Sequence, residues 1–294
     1  MQNAVCGSSD PKPSWYAVSA MTLSLPATFD VMDDMLWQAR EERLLDHGAI
    51  AIERSGQIGP LVELALAMGA LPAAYAGVET IPRFLNQIRD GFIDGKISGT
   101  AAQDRVGVFP LVRYNFDADA NPLWDQWASH AENAAVASGL ARGLAASLMG
   151  ALVELQENVF QHSGRPETGL IAYASQPGAF EFVVADAGMG VLASLRQNPE
   201  FADVRNAGDA LVAAASDGAS RYARSTGHGF GIGRLFRALA RDAGELRFRS
   251  DDHVLRVWGD APSLTGQIKI AQKASLGGLI ISVRCAHDRL KSGS

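Results

Sequence analysis

The order of strand-like runs in the last third of the chain limits its possible folds more than any other feature. Three runs follow one another with no helical pattern between them: ELRFRS (245–250), HVLRVWG (253–259) and GLIISVRC (278–285). Strands that are consecutive along a chain favour antiparallel pairing, whereas strict strand–helix alternation favours a parallel sheet. The end of the chain is therefore predicted to form a largely antiparallel sheet.

A helix-rich segment precedes these strands. Residues 123–162 have the pattern of two helices, with a break near 138–139 or Gly143, and strand-like runs follow at 169–175 and 179–186. The predicted fold is α+β: a two-layer α/β sandwich with a mixed, largely antiparallel sheet and helices on one face. It occupies residues 123–290.

The first part of the chain has a different rhythm. Residues 20–120 alternate short apolar runs with longer helical patterns, which is typical of a small α/β domain. A polar stretch, NFDADANP (115–122), is the predicted linker to the second domain. Residues 1–19 are predicted to form a flexible tail.

Composition excludes several classes of function. No apolar stretch approaches the ~20 residues that a membrane span needs, and the N-terminus lacks the pattern of a signal peptide. The formal charge of −6 argues against a general affinity for nucleic acid. Cys6 and Cys285 are far apart along the chain, which disfavours a disulfide framework or a zinc site. We therefore expect a cytoplasmic protein that neither crosses a membrane nor binds nucleic acid.

Three polar side chains form what we call the polar stripe. Glu154, Asn158 and His162 are four residues apart within ELQENVFQH, so they line up along one side of a helix. Such spacing is also common on a solvated helix face. The stripe becomes informative only together with two glycine-containing segments that follow it.

The first glycine turn (186–190, DAGMG) closes an apolar strand, and the second glycine turn (227–233, GHGFGIG) opens a helical pattern. An Asp and two glycines after a strand are often simply a turn. Four alternating glycines at a helix start are harder to explain by structure alone, because each Gly costs ~1 kcal/mol in a helix relative to Ala. They do suit backbone N–H groups that bind phosphate at the positive end of a helix.

In this order, the three stretches resemble the N, G1 and G2 boxes of the GHKL (histidine kinase-like) ATPase superfamily, which includes gyrase and the histidine kinases. The resemblance covers roughly residues 125–290 and implies a Mg-ATP site. It implies that Asn158 binds Mg²⁺, which prefers oxygen ligands. It also implies that Glu154 acts as the catalytic base near the γ-phosphate. For His162, a phosphate contact and a structural hydrogen bond both stay open.

The glycine turns would hold the rest of the nucleotide. The resemblance implies that Asp186 accepts a hydrogen bond from the exocyclic amine of adenine, while the glycines let the backbone approach the nucleotide closely. The intervening stretch, about 191–226, would form a mobile lid whose arginines either neutralise phosphate or are ordinary solvated side chains. The glycines are Gly188, Gly190, Gly227, Gly229 and Gly231, and the arginines are Arg221 and Arg224.

One alternative uses the same residues. Gly188, Gly190 and Ala193 follow an apolar strand with nearly the spacing of a dinucleotide-binding fingerprint. Two points weigh against it: Asp186 would face a pyrophosphate of like charge, and helices precede the strand where repeated βαβ units should lie.

The form of the polar stripe is similar to that of bacterial anti-sigma-factor serine kinases, which partner with STAS-domain antagonists. The segment IAIERSGQIGPLVEL (50–64) likewise resembles part of a STAS-like regulatory domain. The resemblance implies an ATPase, or a kinase that transfers the γ-phosphoryl to a protein Ser/Thr in bacterial signalling. The alternative is an ATP-gated protein-interaction switch with little or no catalysis. Either function implies a regulatory protein partner, and a homodimer is possible.

Overall fold

The computed structural model describes residues 22–44, 48–53, 57–80, 82–215, 244–258 and 268–286. Within these ranges the fold is α+β, as predicted, and contains a three-stranded and a five-stranded sheet. No helix in the described ranges is both long enough and apolar enough to cross a membrane.

The first unit is a small parallel sheet with three helices. Thr28 begins the first helix by accepting a hydrogen bond from the Val31 N–H, and Gly95 ends the third in the left-handed conformation. The three strands are parallel and lie in sequence order. The elements are β1 (Leu23–Pro26), α1 (Phe29–Arg40), β2 (Ile50–Glu53), α2 (Gly59–Ala70), β3 (Val78–Thr80) and α3 (Arg83–Asp94).

The second unit is built around an antiparallel sheet with the strand order β4-β5-β6-β8-β7. Its helices α4 and α5 are separated by residues 138–141, close to the predicted break, and Gly139 there has a φ of 107°. The elements are β4 (Val106–Pro110), α4 (Pro122–Ala137), α5 (Arg142–His162), β5 (Leu170–Gln176), β6 (Ala179–Asp186), α6 (Gly190–Leu195), α7 (Ala207–Ala215), β7 (Gly244–Trp258) and β8 (Ile268–Ala286).

Three segments differ in detail from the expectation. The strand-like run at 106–114 lies within the range 20–120 that we assigned to the first domain. Its strand, β4, nevertheless belongs to the five-stranded sheet, because it pairs with β5. The runs 245–250 and 253–259 form one long strand, β7, whose pairing is irregular between Ser250 and His253. The first part of the expected lid is helical, because α6 and α7 occupy it and Leu211 is buried in the core.

Both faces of the five-stranded sheet are covered. Along β6, Phe182 and Val184 belong to the core beneath α4 and α5, whereas Val183 and Ala185 belong to the core shared with α1, α2 and α3. This alternation is the ordinary period of a strand. The helices of the first unit therefore lie between the two sheets, an arrangement that the sequence patterns did not predict.

A group of charged side chains joins the two units, and we call Asp33, Glu63, Arg247, Arg249 and Lys273 the charged cluster; the first four are buried and Lys273 is partly exposed. Arg247 on β7 donates to Glu63 on α2 at 2.6 Å and to Asp33 on α1 at 2.7 Å. Arg249 donates to the same Asp33 oxygen at 2.7 Å, and Lys273 lies 3.0 Å from the other oxygen. Burial alone would raise the pKa of Asp33, but the neighbouring cations outweigh it and lower that pKa. The cluster thus holds α1 and α2 against β7.

Candidate functional site

The polar stripe lies on the last three turns of α5. Glu154, Asn158 and His162 are all partly buried, while Leu155 and Val159 on the adjacent side of the helix are buried in the core. The apolar side of α5 therefore packs on the sheet and the three polar side chains lie beside that contact. His162 is the last residue of the helix.

Asp186 is the last residue of β6 and its side chain is only 1% exposed. Its Oδ1 accepts a hydrogen bond from the Gly188 N–H at 2.8 Å, so the carboxylate shapes the first glycine turn. Burial raises the pKa of Asp186 to about 6, against the opposing effect of the Gly188 and Leu279 N–H groups. A carboxyl this deeply buried needs polar partners, and its own turn supplies at least one of them.

The first glycine turn is in direct contact with the end of the helix that carries the polar stripe. The Met189 N–H donates to the carbonyl oxygen of Ser163, the residue after His162, at 2.8 Å. A Cβ on Gly188 would collide with that same carbonyl group, so only glycine allows this approach. The structure thus brings two of the three predicted stretches together, with His162 nearest the turn. Glu154 is eight residues earlier, about 12 Å along the helix axis.

Thr168 and Ser250 hold the turn from its two sides, and the sequence patterns singled out neither residue. The Thr168 hydroxyl oxygen accepts the Ala187 N–H at 3.0 Å. On the other side, the Ser250 hydroxyl oxygen accepts the Val191 N–H at 2.9 Å and donates to the Gly278 carbonyl oxygen at 3.1 Å. These partners are 19, 59 and 28 residues apart along the chain. No local motif signals such contacts.

The second glycine of the turn is equally constrained. Gly190 has a φ of 74°, and a Cβ there would lie 2.8 Å from the Ser250 hydroxyl oxygen and 3.1 Å from a carboxylate oxygen of Asp251. The backbone of Asp251 is also in the left-handed conformation, with a φ of 51°, which is uncommon for a residue other than glycine. Burial, and then the neighbouring Asp252, raise the pKa of Asp251. An acidic residue whose backbone has an uncommon conformation therefore lies beside the turn.

The remaining predicted residues fall outside the described ranges. The second glycine turn with Gly227, Gly229 and Gly231, and the two arginines Arg221 and Arg224, all lie within 216–243. Their predicted roles stay predictions.

The dinucleotide hypothesis is wrong. It requires a parallel βαβ unit around the glycine turn, but β6 pairs antiparallel with both of its neighbours, β5 and β8. The helix that begins at Gly190 is also short, ending at Leu195. A pyrophosphate at that helix start would lie beside the Asp186 and Asp251 carboxylates, which repel it.

Two described groups have chemistry that fits a nucleotide: the Asp186 carboxylate can accept a hydrogen bond from a base, and the half-buried Asn158 amide can offer an oxygen to a cation. Gly188 and Gly190 allow the turn to approach Ser163 and Ser250 closely. Among the described residues, no group of three His, Cys, Asp or Glu side chains converges to hold a metal ion by protein ligands alone. Mg²⁺ with nucleotide usually has few protein ligands, because phosphates and water supply most of its oxygens. Comparisons with protein-family models, with curated proteins and with solved structures find no match to this chain.

Proposed function

We propose that this protein binds Mg-ATP and either hydrolyses it or transfers its γ-phosphoryl group to a protein Ser/Thr in bacterial signalling. The observation that carries the proposal is the direct contact between the first glycine turn and the end of α5. This contact joins a buried acid and a polar helix stripe, two features that are each ordinary when taken alone.

The adenine base would bind beside Asp186. One carboxylate oxygen is used by the Gly188 N–H, and an ionised carboxylate has further acceptor positions for the exocyclic amine of adenine. A guanine carbonyl oxygen would repel the same carboxylate, so this acid would select the base. Gly188 and Gly190 would let the turn pack closely against Ser163 and Ser250, which would hold the Asp186 carboxylate in place beside the base.

The phosphates would extend along α5 towards its N-terminus. Asn158 lies one turn before His162 and would offer a neutral oxygen to Mg²⁺, whose charge would offset that of the phosphates. Glu154, another turn earlier, would orient or deprotonate the attacking hydroxyl or water. The order His162, Asn158, Glu154 then follows the nucleotide from its base towards its γ-phosphate.

A second candidate function is an ATP-gated switch with little turnover, and one observation favours it. The charged cluster ties the first unit to β7 through Arg247 and Arg249. The next residues of the same strand, Ser250 and Asp251, adjoin the first glycine turn. A nucleotide that reshapes this turn would therefore act one residue away from the interface between the units.

Isothermal titration calorimetry with Mg-ATP tests the site itself. Asp186→Asn replaces an acceptor by a side chain that presents an N–H₂ group, and we expect ATP affinity to fall by at least about tenfold. Unchanged affinity in a folded variant would refute the proposed adenine site.

Glu154→Ala separates the two functions. Under the enzymatic function we expect ATP binding to persist, while release or transfer of the γ-phosphoryl falls by about 10²-fold or more. Glu157→Ala, an exposed acid on the same helix, is the matched control and should keep parental turnover. Phosphate release is measured on the purified protein, and transfer after a cell lysate is added as the source of acceptors. If the parent binds ATP but shows neither release nor transfer above a lysate-only control, the switch is the correct function.

A further inference from the structure

A cleft lies on the opposite side of the sheet from Asp186. It has a volume of about 830 Å³ and runs between the end of α2, the side of α3 and the segment around Gly277. Ala187 lines it and packs on the core shared with the first unit, whereas Val184, two residues before Asp186, packs on the α5 side. Side chains alternate along a strand, so Asp186 and this cleft lie on different sides of the same turn.

The cleft walls are mostly apolar. Leu66 and Leu276 are buried at its base, and Met68 and Phe92 are partly buried on its sides. Ile93 at its edge is 73% exposed, which is unusual for a side chain of this size. A cleft of this volume with such walls falls in the range that proteins use for small organic ligands.

The polar groups of the cleft are few and mainly cationic or hydrogen-bond donors. Tyr75 is 3% exposed, and its hydroxyl has no hydrogen-bond partner in the described part of the chain. Burial raises the pKa of this tyrosine well above its ordinary value, so the hydroxyl keeps its proton. Arg89 is half-buried in the lining, and Arg165 lies 3.4 Å from Glu167, the one carboxylate of the lining. Two guanidinium groups against one carboxylate leave the cleft with a net positive charge.

We propose that this cleft binds an amphipathic carboxylate, with its apolar body against Leu66, Met68 and Phe92 and its anionic head at Arg89. Apolar walls exclude a strongly hydrated ligand such as a free phosphate, because burial of a fully charged group against carbon atoms is costly. The cationic lining equally favours an anionic head over a neutral or cationic one, since a guanidinium pairs well with a carboxylate. This site shares Thr168 and Ala187 with the first glycine turn but lies on the other side of that turn from Asp186, and its test does not depend on nucleotide.

Decanoate, below its micelle concentration, is the probe, and its binding to the full chain is measured by calorimetry without nucleotide. Gly69→Trp is the blocking variant, because Gly69 lines the cleft and a Cβ there meets no atom within 4 Å. Gly143→Trp at the start of α5 is the matched control, with equally open surroundings but no place in the cleft. We expect Gly69→Trp to weaken decanoate binding by tenfold or more and Gly143→Trp to leave it at the parental value.

The anionic head is tested on α3. Arg89→Gln should weaken decanoate by about tenfold, whereas Arg83→Gln, on the same helix but outside this cleft, should not. Thermal unfolding of each variant checks that the fold is retained. Absence of decanoate binding by the parent would overturn the proposal, and so would equal binding by Gly69→Trp and Gly143→Trp. Because nucleotide is absent from this experiment, either result leaves the ATP proposal to its own test.

Discussion

The two faces of the five-stranded sheet both pack on apolar cores, yet the face towards the first unit also carries buried ion pairs. The face beneath α4 and α5 is apolar and aromatic: Trp127, for example, contacts Phe109 and Tyr173 edge-on, with ring centroids 5.7 and 5.2 Å apart. The face towards the first unit contains Arg247 and Arg249, each no more than 2% exposed. Both arginines alternate with Leu246 and Phe248 of the apolar face along β7.

This difference shows that two kinds of interaction hold other elements against the sheet. Apolar surfaces attract one another without much regard for exact partners. A buried guanidinium is tolerated only where carboxylates meet it with good geometry, so the charged cluster selects one position for α1 and α2. We infer that apolar burial stabilises both faces, and that the charged cluster fixes how the first unit docks.

The largest expected effect comes from breaking the charged cluster on one side only. Arg247→Met leaves Glu63 without its 2.6 Å partner and Asp33 with one donor fewer. We expect the free energy of unfolding to fall by about 3–5 kcal/mol, because two buried carboxylates then share a single buried guanidinium, that of Arg249. Urea unfolding measures this. Arg205→Met is the control, because it removes an exposed pair with Asp209 and should cost less than about 1 kcal/mol.

Removing the four buried members of the cluster, while keeping the partly exposed Lys273, sharpens the same comparison. If its role is docking rather than net stability, replacing Asp33 and Glu63 by Leu together with Arg247 and Arg249 by Met should restore stability to within about 2 kcal/mol of the parent. A combined variant as unstable as Arg247→Met alone would contradict this view.

Glu181, on the sheet face towards the first unit, makes the stability of the fold depend on pH. The Glu181 carboxylate accepts hydrogen bonds from the N–H groups of Ile58 and Gly59 at 2.8 Å each. Burial raises the pKa of Glu181 from 4.5 to about 7. Among the neighbouring charges, Arg284 lowers this pKa and Glu245 raises it. The folded state therefore holds this proton more tightly than the unfolded state, and stability falls as pH rises from about 4.5 to 7, by up to about 3 kcal/mol.

Urea unfolding at pH 5 and pH 8 tests this, with Glu181→Gln as the comparison. The raised pKa of Asp186 adds a fall of the same sign in both proteins, so the difference between their pH profiles isolates Glu181. Identical profiles would show that Glu181 has an ordinary pKa in the folded protein.

A smaller effect is expected where α2 begins on the same face. A Cβ on Gly59 would lie 2.5 Å from Phe29 and 2.6 Å from the Ser282 hydroxyl oxygen. Gly59→Ala should therefore destabilise the fold by about 1–3 kcal/mol through overpacking. Thermal unfolding measures this, and no change in the midpoint would mean that α2 is free to shift away from β8.

The smallest effect is expected on the outer side of α5. Gly150 is a helical residue whose Cβ position meets no atom within 4 Å. Gly150→Ala should stabilise the protein by about 0.5–1 kcal/mol, because it removes the conformational entropy of glycine without creating a contact. A loss of stability in urea unfolding would show that this side of α5 is covered.

Individual elements were predictable where the periodicity was strong. The strand predicted at 179–186 is β6 with the same bounds. The short β3 was missed because Val78–Thr80 is too brief for a periodic pattern. The irregular pairing in β7 was missed because a polar interruption, Asp251–Asp252, resembles a turn between two strands.

The candidate site was predictable in part for the same reason. Glu154, Asn158 and His162 share one helix, so their alignment follows from spacing alone. The parts held by distant contacts, such as Thr168 and Ser250 on the first glycine turn, had no local signal.

By itself, then, the sequence determined the α+β class, the antiparallel order of the last strands and the polar stripe on α5, since these depend on periods of two and 3.6 residues. Only the tertiary structure decided that the second face of the sheet is covered by the first unit, and that Glu63 pairs with Arg247 across 184 residues. The periodicity of a strand shows which of its faces is apolar. It does not show what will cover a polar face, because the partner of a buried charge is chosen by geometry between segments far apart in the chain.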